Sequence, residues 1–221
     1  MGESAASSVR GPTGSGDDFA HVTTPLFDLR RVILVDLPGH GDSPRSDRYS
    51  LQAMTAAVTG FLEDVIGTPC DLLGHSMGGR VVLPIAIEGP ELLQSLVLMD
   101  TWADPPDPGA DSNEIAALLA LPDAEAAVAW EQGPPEPATA ESDLIVDRWG
   151  QDWLDAHSAH NNQVDPLAVI QLAREFADDP GQLLAASESI ACPTTVLVGE
   201  LDGPFVGPSG EWPPPSPAPN W

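Results

Sequence analysis

The octapeptide Leu72-Leu73-Gly74-His75-Ser76-Met77-Gly78-Gly79 constrains this chain more than any other stretch. The apolar run Cys70 to Leu73 leads straight into it. A nearly all-apolar run from Gly78 to Glu88 leads straight out and is stopped by Gly89-Pro90. In that setting Gly-x-Ser-x-Gly predicts a strand that turns sharply at a serine into a helix. Glycines on both sides let the two backbones approach without Cβ clashes. The turn leaves Ser76 at the helix N-terminus, where orphan N–H groups and the dipole favour an oxyanion. Three small residues recur by chance, so the flanking patterns carry the reading: Ser76 is a candidate nucleophile at an elbow.

The rest of the chain repeats the alternation. Val32 to Val35, Ser95 to Met99 and Thr194 to Val198 join Cys70 to Leu73 as short apolar runs without clean alternation, the pattern of parallel strands buried on both faces. Leu51, Met54, Val58, Phe61, Leu62 and Val65 form one helical stripe. Strands alternating with helices predict an α/β fold, a mostly parallel sheet with helices on both faces. The alternation breaks between about Thr101 and Ser189, where Glu114–Leu121, Leu144–His157 and Leu167–Ala177 read as helices between proline-rich loops. That stretch is expected to be an inserted helical cap. The expected organisation is therefore a first part of the core over 1–100, a cap over 101–189, a return strand and acid loop over 190–206, and a proline-rich tail over 207–221. The tail is expected to be an extended, mobile end, because its prolines fit neither helix nor central strand. The tryptophans of the insertion (Trp102, Trp130, Trp149, Trp153) read first as packing and second as pocket lining.

Charge excludes several functions. The 221 residues carry 34 acidic and eight basic side chains, a formal net charge of −26. Such a field repels phosphate backbones and anionic lipid, which argues against nucleic-acid and membrane-surface partners. All eight basic residues are arginine, so lysine-dependent phosphate loops and Schiff bases are ruled out. The N-terminus lacks the basic and apolar regions of a secretory signal. Two scattered cysteines, Cys70 and Cys192, make neither a disulfide framework nor a zinc ribbon. The expectation is a soluble cytoplasmic protein with a small-molecule substrate, no cofactor and no metal. The sequence leaves the oligomeric state open.

Several landmarks together resemble the α/β-hydrolase superfamily, in its capped serine-nucleophile branch, over roughly Val9 to Phe205. They are Arg31 to Ser43 (RVILVDLPGHGDS), the elbow, Ser95 to Asp100 (SLVLMD), and Pro193 to Asp202 (PTTVLVGELD). The resemblance implies the α/β-hydrolase fold and places the triad acid at Asp202, with Asp100 as the alternative position. It implies that Asp36 and His40 support the site without doing chemistry. His75 flanks the nucleophile and points away from the role of base. Serine at the elbow argues against the branches that need an aspartate there, while Met77-Gly78-Gly79-Arg80 also looks like the menaquinone-pathway enzymes that eliminate pyruvate.

Two departures accompany the likeness. The family's triad histidine follows the acid after a helix and a strand, roughly 25 residues with their loops. Nineteen residues follow Asp202 and none is histidine. His157 and His160, spaced i, i+3, are the candidate substitute bases; a metal site or a solvated helix face is the other reading of the pair. Arg10-Gly11-Pro12-Thr13-Gly14-Ser15-Gly16 aligns with the family's oxyanion loop, yet Arg10 replaces its histidine and Pro12 falls where a backbone N–H is usually donated. Ala5 to Val9 reads as a remnant of the strand feeding that loop, Pro84 is expected to kink its helix, and the chain reads as truncated at both ends. The leading expectation is a serine hydrolase acting on a small ester-like or carbonyl substrate, with Ser76 as nucleophile, Asp202 as acid and Met77 N–H as one oxyanion donor, impaired by the missing histidine. An inactive relative and an elimination enzyme are the alternatives.

Overall fold

The computed structural model describes residues 5–9, 19, 23–104, 112–133, 140–152, 163–200, 202, 205–207 and 212. Five strands, β1 (Ala5–Val9), β2 (Arg31–Val35), β3 (Cys70–His75), β4 (Leu93–Met99) and β5 (Thr194–Leu197), form one parallel sheet in the order β2-β1-β3-β4-β5. The four apolar runs are all strands of this sheet. The fifth, β1, lies near its centre, in register with both neighbours: Val9 faces Val35 on one side and Gly74 on the other. The chain steps from β1 outward to β2 and then to β3 on the opposite side, so the order reverses between β1 and β3. In open α/β sheets that switch point, at the carboxyl ends of the strands, is where ligands bind.

Helix α1 (Leu51–Phe61) is capped by the Ser50 side chain, which accepts from Ala53 N at 3.0 Å, and buries Met54 and Val58. The expected stripe holds as far as Leu62 but fails at Val65, which is 56% exposed. A π-helical turn over Leu62–Ile66 adds residues to the last turn and swings Val65 off the buried face. Helix α2 (Met77–Glu88) packs beneath the sheet with Val81, Val82 and Leu83 fully buried beside Leu72, Leu96 and Leu98. It runs continuously through Pro84.

The expected helical insertion lies between β4 and β5. It contains α3 (Ser112–Leu119), α4 (Asp123–Glu131), α5 (Ala140–Trp149), α6 (Pro166–Ala177) and α7 (Leu183–Ser187). The helix expected over Leu144–His157 is interrupted: α5 ends at Trp149, Gly150 takes φ +86, a left-handed conformation that breaks helices, Gln151 and Asp152 are helical again, and 153–157 lie outside the described residues. Within the insertion Trp102 is buried, Trp149 is exposed with Arg148 over its ring, and Trp153 lies outside the described residues. Trp212 packs against the core cluster, so the tail expected to be mobile has an anchor there.

Helix α6 is laced to the loop after β2. Asp165 caps it by accepting from Leu167 N at 3.1 Å, Asp165 N donates to Gly39 O at 2.8 Å, and Leu51 N donates to Glu175 at 2.7 Å. Tyr49 completes the seam: its hydroxyl donates to Asp165 Oδ2 at 2.7 Å and accepts from Ser46 N at 2.6 Å. Burial and the Asp165 carboxylate push the Tyr49 pKa up from 10.0 to about 12. The folded state therefore disfavours tyrosinate. The stability this contributes is whole below pH 10 and is lost as pH rises from 10 through 12, by about 1.4 kcal/mol per unit. Tyr49 is the only tyrosine and the chain has no lysine, so little else but the two buried thiols titrates in that window. Urea denaturation at pH 8 and pH 11 should show this loss in the native chain and not in Tyr49→Phe, which should already be about 1.5–3 kcal/mol weaker at pH 8. Equal pH slopes in the two proteins would refute the assignment.

Candidate active site

The elbow has the geometry its sequence predicts. β3 ends at His75 and α2 starts at Met77, leaving Ser76 alone at φ 52, ψ −124. Few L-residues occupy such backbone, and it persists only where neighbours over-determine it. Ser76 N donates to Met99 O at 3.0 Å, and Ser76 O accepts from Gly79 N at 2.9 Å and from Thr101 Oγ1 at 2.6 Å. The serine hydroxyl caps no N–H of the helix it begins. The strain is measurable. Ser76→Gly should gain about 1 kcal/mol of stability, relief of backbone strain of roughly 1–3 kcal/mol less the entropy of a new glycine. Ser76→Ala keeps Cβ and should gain nothing. Chemical denaturation of both variants decides it, and equal midpoints would show that the turn stores no strain.

Two glycines make the turn possible. A Cβ on Gly74 would lie 2.5 Å from Val82 Cγ2 and 2.7 Å from Gly79 Cα; one on Gly79 would lie 2.2 Å from Thr101 Oγ1. Strand β3, helix α2 and the exit of β4 thus meet at van der Waals distance around the serine.

The two candidate acids converge on one turn. Asp100 follows β4 at φ 42, and Asp100 and Ser76 are the two non-glycine residues with positive φ among the described residues. Asp100 N donates to Leu197 O at 2.9 Å and its Oδ1 accepts from Gly199 N at 2.7 Å. Asp202 N donates to Gly199 O at 3.0 Å, and its carbonyl accepts from Phe205 and Val206 N–H. A Cβ built on Gly199 would stand 3.6 Å from Asp202 Cβ and 3.8 Å from Asp100 Oδ1. The ends of β3, β4 and β5 thus bring Ser76, Asp100 and Asp202 to one edge of the sheet. Met77, beside the serine, is fully buried.

The loop after β2 is tied to itself. Asp36 Oδ2 accepts from Asp42 N at 3.1 Å, Ser43 Oγ donates to Asp36 O at 2.7 Å, and buried His40 places Nδ1 3.0 Å from Pro38 O. His75 packs edge-on against Phe19, with ring centroids 6.0 Å apart. Pro12 and the loop around it, His157 and His160 lie outside the described residues. Burial pushes the thiols of Cys70 and Cys192 up, so neither competes as a nucleophile. Among the described residues no group of three or more His, Cys, Asp or Glu could hold a metal ion, and no helix is long and apolar enough to cross a membrane.

Sequence reasoning missed Thr101 and undervalued Arg80. Thr101 carries no motif. Arg80 has a visible signal, one charge inside the apolar run from Met77 to Ala86, and it is 4% exposed.

Comparison with known proteins matches residues 9–217 to the family model described as the alpha/beta hydrolase family. The chain is 39% identical over 116 residues to the sn-1-specific diacylglycerol lipase ABHD11 of Mus musculus, covering 51% of this chain and 38% of the mouse protein. It is 40% identical over 72 residues to the pimeloyl-[acyl-carrier protein] methyl ester esterase of Neisseria meningitidis serogroup C, covering 33% of this chain and 27% of that one. These matched stretches span well under half of either relative. Among solved structures, a thermophilic esterase from Thermogutta terrifontis superposes with a TM-score of 0.71 at 25% identity, over 93% of this chain and 74% of the esterase.

Proposed function

We propose that this chain, which belongs to the alpha/beta hydrolase family, is built to cleave a small ester-like or carbonyl substrate with Ser76 as nucleophile, and that its turnover is impaired for want of a triad histidine. The observation that carries the reading is Ser76 itself, strained at φ 52 with its hydroxyl unused by the helix it begins. It sits at the carboxyl end of the strand next to the switch point, where a substrate reaches it. Relatives named for cleaving esters support ester hydrolysis over elimination.

In this reading Ser76 Oγ adds to the carbonyl carbon as a base removes its proton, and the oxyanion is held by Met77 N–H at the α2 N-terminus. Asp202 orients the base, with Asp100 in reserve on the same turn. The helical insertion serves as the cap and shapes the pocket. The acidic surface fits a cytoplasmic enzyme without nucleic-acid partners. The base is the weak point: the 221 residues contain no histidine after Asp202.

The test supplies one. A helix, a strand and a histidine of the family type are appended after Phe205, and ester hydrolysis is followed with and without Ser76→Ala. Serine-dependent turnover in the extended chain is the expected result. A folded extension with no serine-dependent cleavage would sink the proposal.

A further inference from the structure

Arg80 stands on α2, four residues after Ser76, with its side chain 4% exposed. Its guanidinium pairs with Asp179 and feels the charge of Asp104. Among the described residues Nε and Nη1 find no hydrogen-bond partner, so the Asp179 pair at Nη2 is the contact that fixes the guanidinium. Burial pushes the Arg80 pKa down, and the two carboxylates pull it back up.

The positions of those carboxylates matter. Asp104 lies on the stretch that leads from β4 out into the insertion, and Asp179 lies on the stretch that leads back from α6. The two crossings are also tied to each other by Asp104 Oδ1, which accepts from Leu184 N at 3.1 Å; Asp179 Oδ1 accepts from Gly181 N at 3.0 Å within the return crossing. Trp102, on the outgoing crossing, packs edge-on against Phe176 of α6 and stacks on Phe205, with centroids 5.3 and 5.4 Å away. The same crossing begins at Thr101, which holds the Ser76 carbonyl.

We infer that Arg80 is a positioning residue: its buried guanidinium draws Asp104 and Asp179 against the helix that starts at Ser76, and so fixes how the helical insertion is seated relative to the nucleophile. Apolar side chains replacing the whole pair could pack as well, since a buried ion pair is weak evidence for stability, but replacing Arg80 alone leaves Asp179 without its partner. What the charge adds is a single arrangement in which both crossings point at one place. The catalytic consequence rests on the proposed role of Ser76; the seating does not.

Two readouts on the full chain separate these. Hydrogen exchange is followed in the native protein, Asp179→Asn, Arg80→Met and Arg80→Lys. Asp179→Asn and Arg80→Met should speed exchange about tenfold over 101–104 and 178–187 while β3 and α1 stay within about twofold, because opening is local to the crossings. Arg80→Lys should recover much of the protection, as a charge without the planar fork. Uniform acceleration, or none at the crossings, overturns the inference; if Arg80→Met does not fold, Asp179→Asn decides. In the second arm, a small and a bulky serine-directed fluorophosphonate label the same proteins. A looser seat should raise the bulky-to-small rate ratio several-fold, which simple destabilisation does not do, and an unchanged ratio in a protein that labels overturns the catalytic consequence. If native Ser76 reacts with neither probe, as the absence of an adjacent base predicts, exchange alone decides the seating.

Discussion

The 221-residue chain should hydrolyse p-nitrophenyl acetate at close to the uncatalysed rate, and Ser76→Ala should change that rate by no more than about twofold. A serine hydroxyl is a poor nucleophile at its own pKa and needs an adjacent base. Of the five histidines, none follows Asp202. Of the two in described segments, His40 sits in the self-tied loop after β2 and His75 packs on Phe19. A triad enzyme that loses one member keeps about 10³–10⁴-fold catalysis over water, through binding and its oxyanion hole. The resemblance places Pro12 where that hole's other N–H is donated; proline has none to give, and a lost donor typically costs about 10²–10³-fold. What is left is on the order of tenfold over water, near the limit of the assay.

The opposite result is equally informative. Brisk turnover abolished by Ser76→Ala would mean that a base exists outside the expected place. His157→Ala and His160→Ala would then be assayed singly, and the one that lowers kcat without raising KM would be that base.

How far the sequence reached can be read residue by residue. Ser76 was legible because its requirement is local: a strand, a helix and two glycines must coincide, and each leaves its mark within one octapeptide. β1 was only half legible. Ala5-Ala6-Ser7-Ser8-Val9 has one β-branched residue, and its place between β2 and β3 is decided by partners distant in sequence. α4 was missed because Asp123 to Glu131 has no apolar stripe; alanines and an acidic first turn form it, and α6 holds it through the Arg174–Asp123 pair. Val65 was misjudged because periodicity assumes an unbroken α-helix. At the site, Asp100 and Asp202 were legible only by resemblance. That both flank Gly199 depends on the pairing of β4 with β5, which no local pattern encodes.

Gly74→Ala should be strongly destabilising, costing about 3 kcal/mol. The new Cβ would lie 2.5 Å from Val82 Cγ2, 2.7 Å from Gly79 Cα and 2.8 Å from Gly78 O. Val82 is fully buried, so its side chain has little room to turn away. The other two contacts are backbone and yield only if α2 shifts bodily away from β3. That helix carries Val81, Val82 and Leu83 in the core and is held to the β4 exit by Thr101. Gly60→Ala is the matched control: it lies inside α1, and a Cβ there meets nothing within 4 Å. It should gain about 1 kcal/mol from helix propensity alone. For a chain of this size about 1 kcal/mol moves the melting temperature by 2–4 °C, so the two variants should separate by roughly 8–16 °C in opposite directions from the native protein. If Gly74→Ala melts within a degree or two of the native chain, β3 and α2 do not approach as closely as the elbow requires, and the placement of Ser76 falls with it.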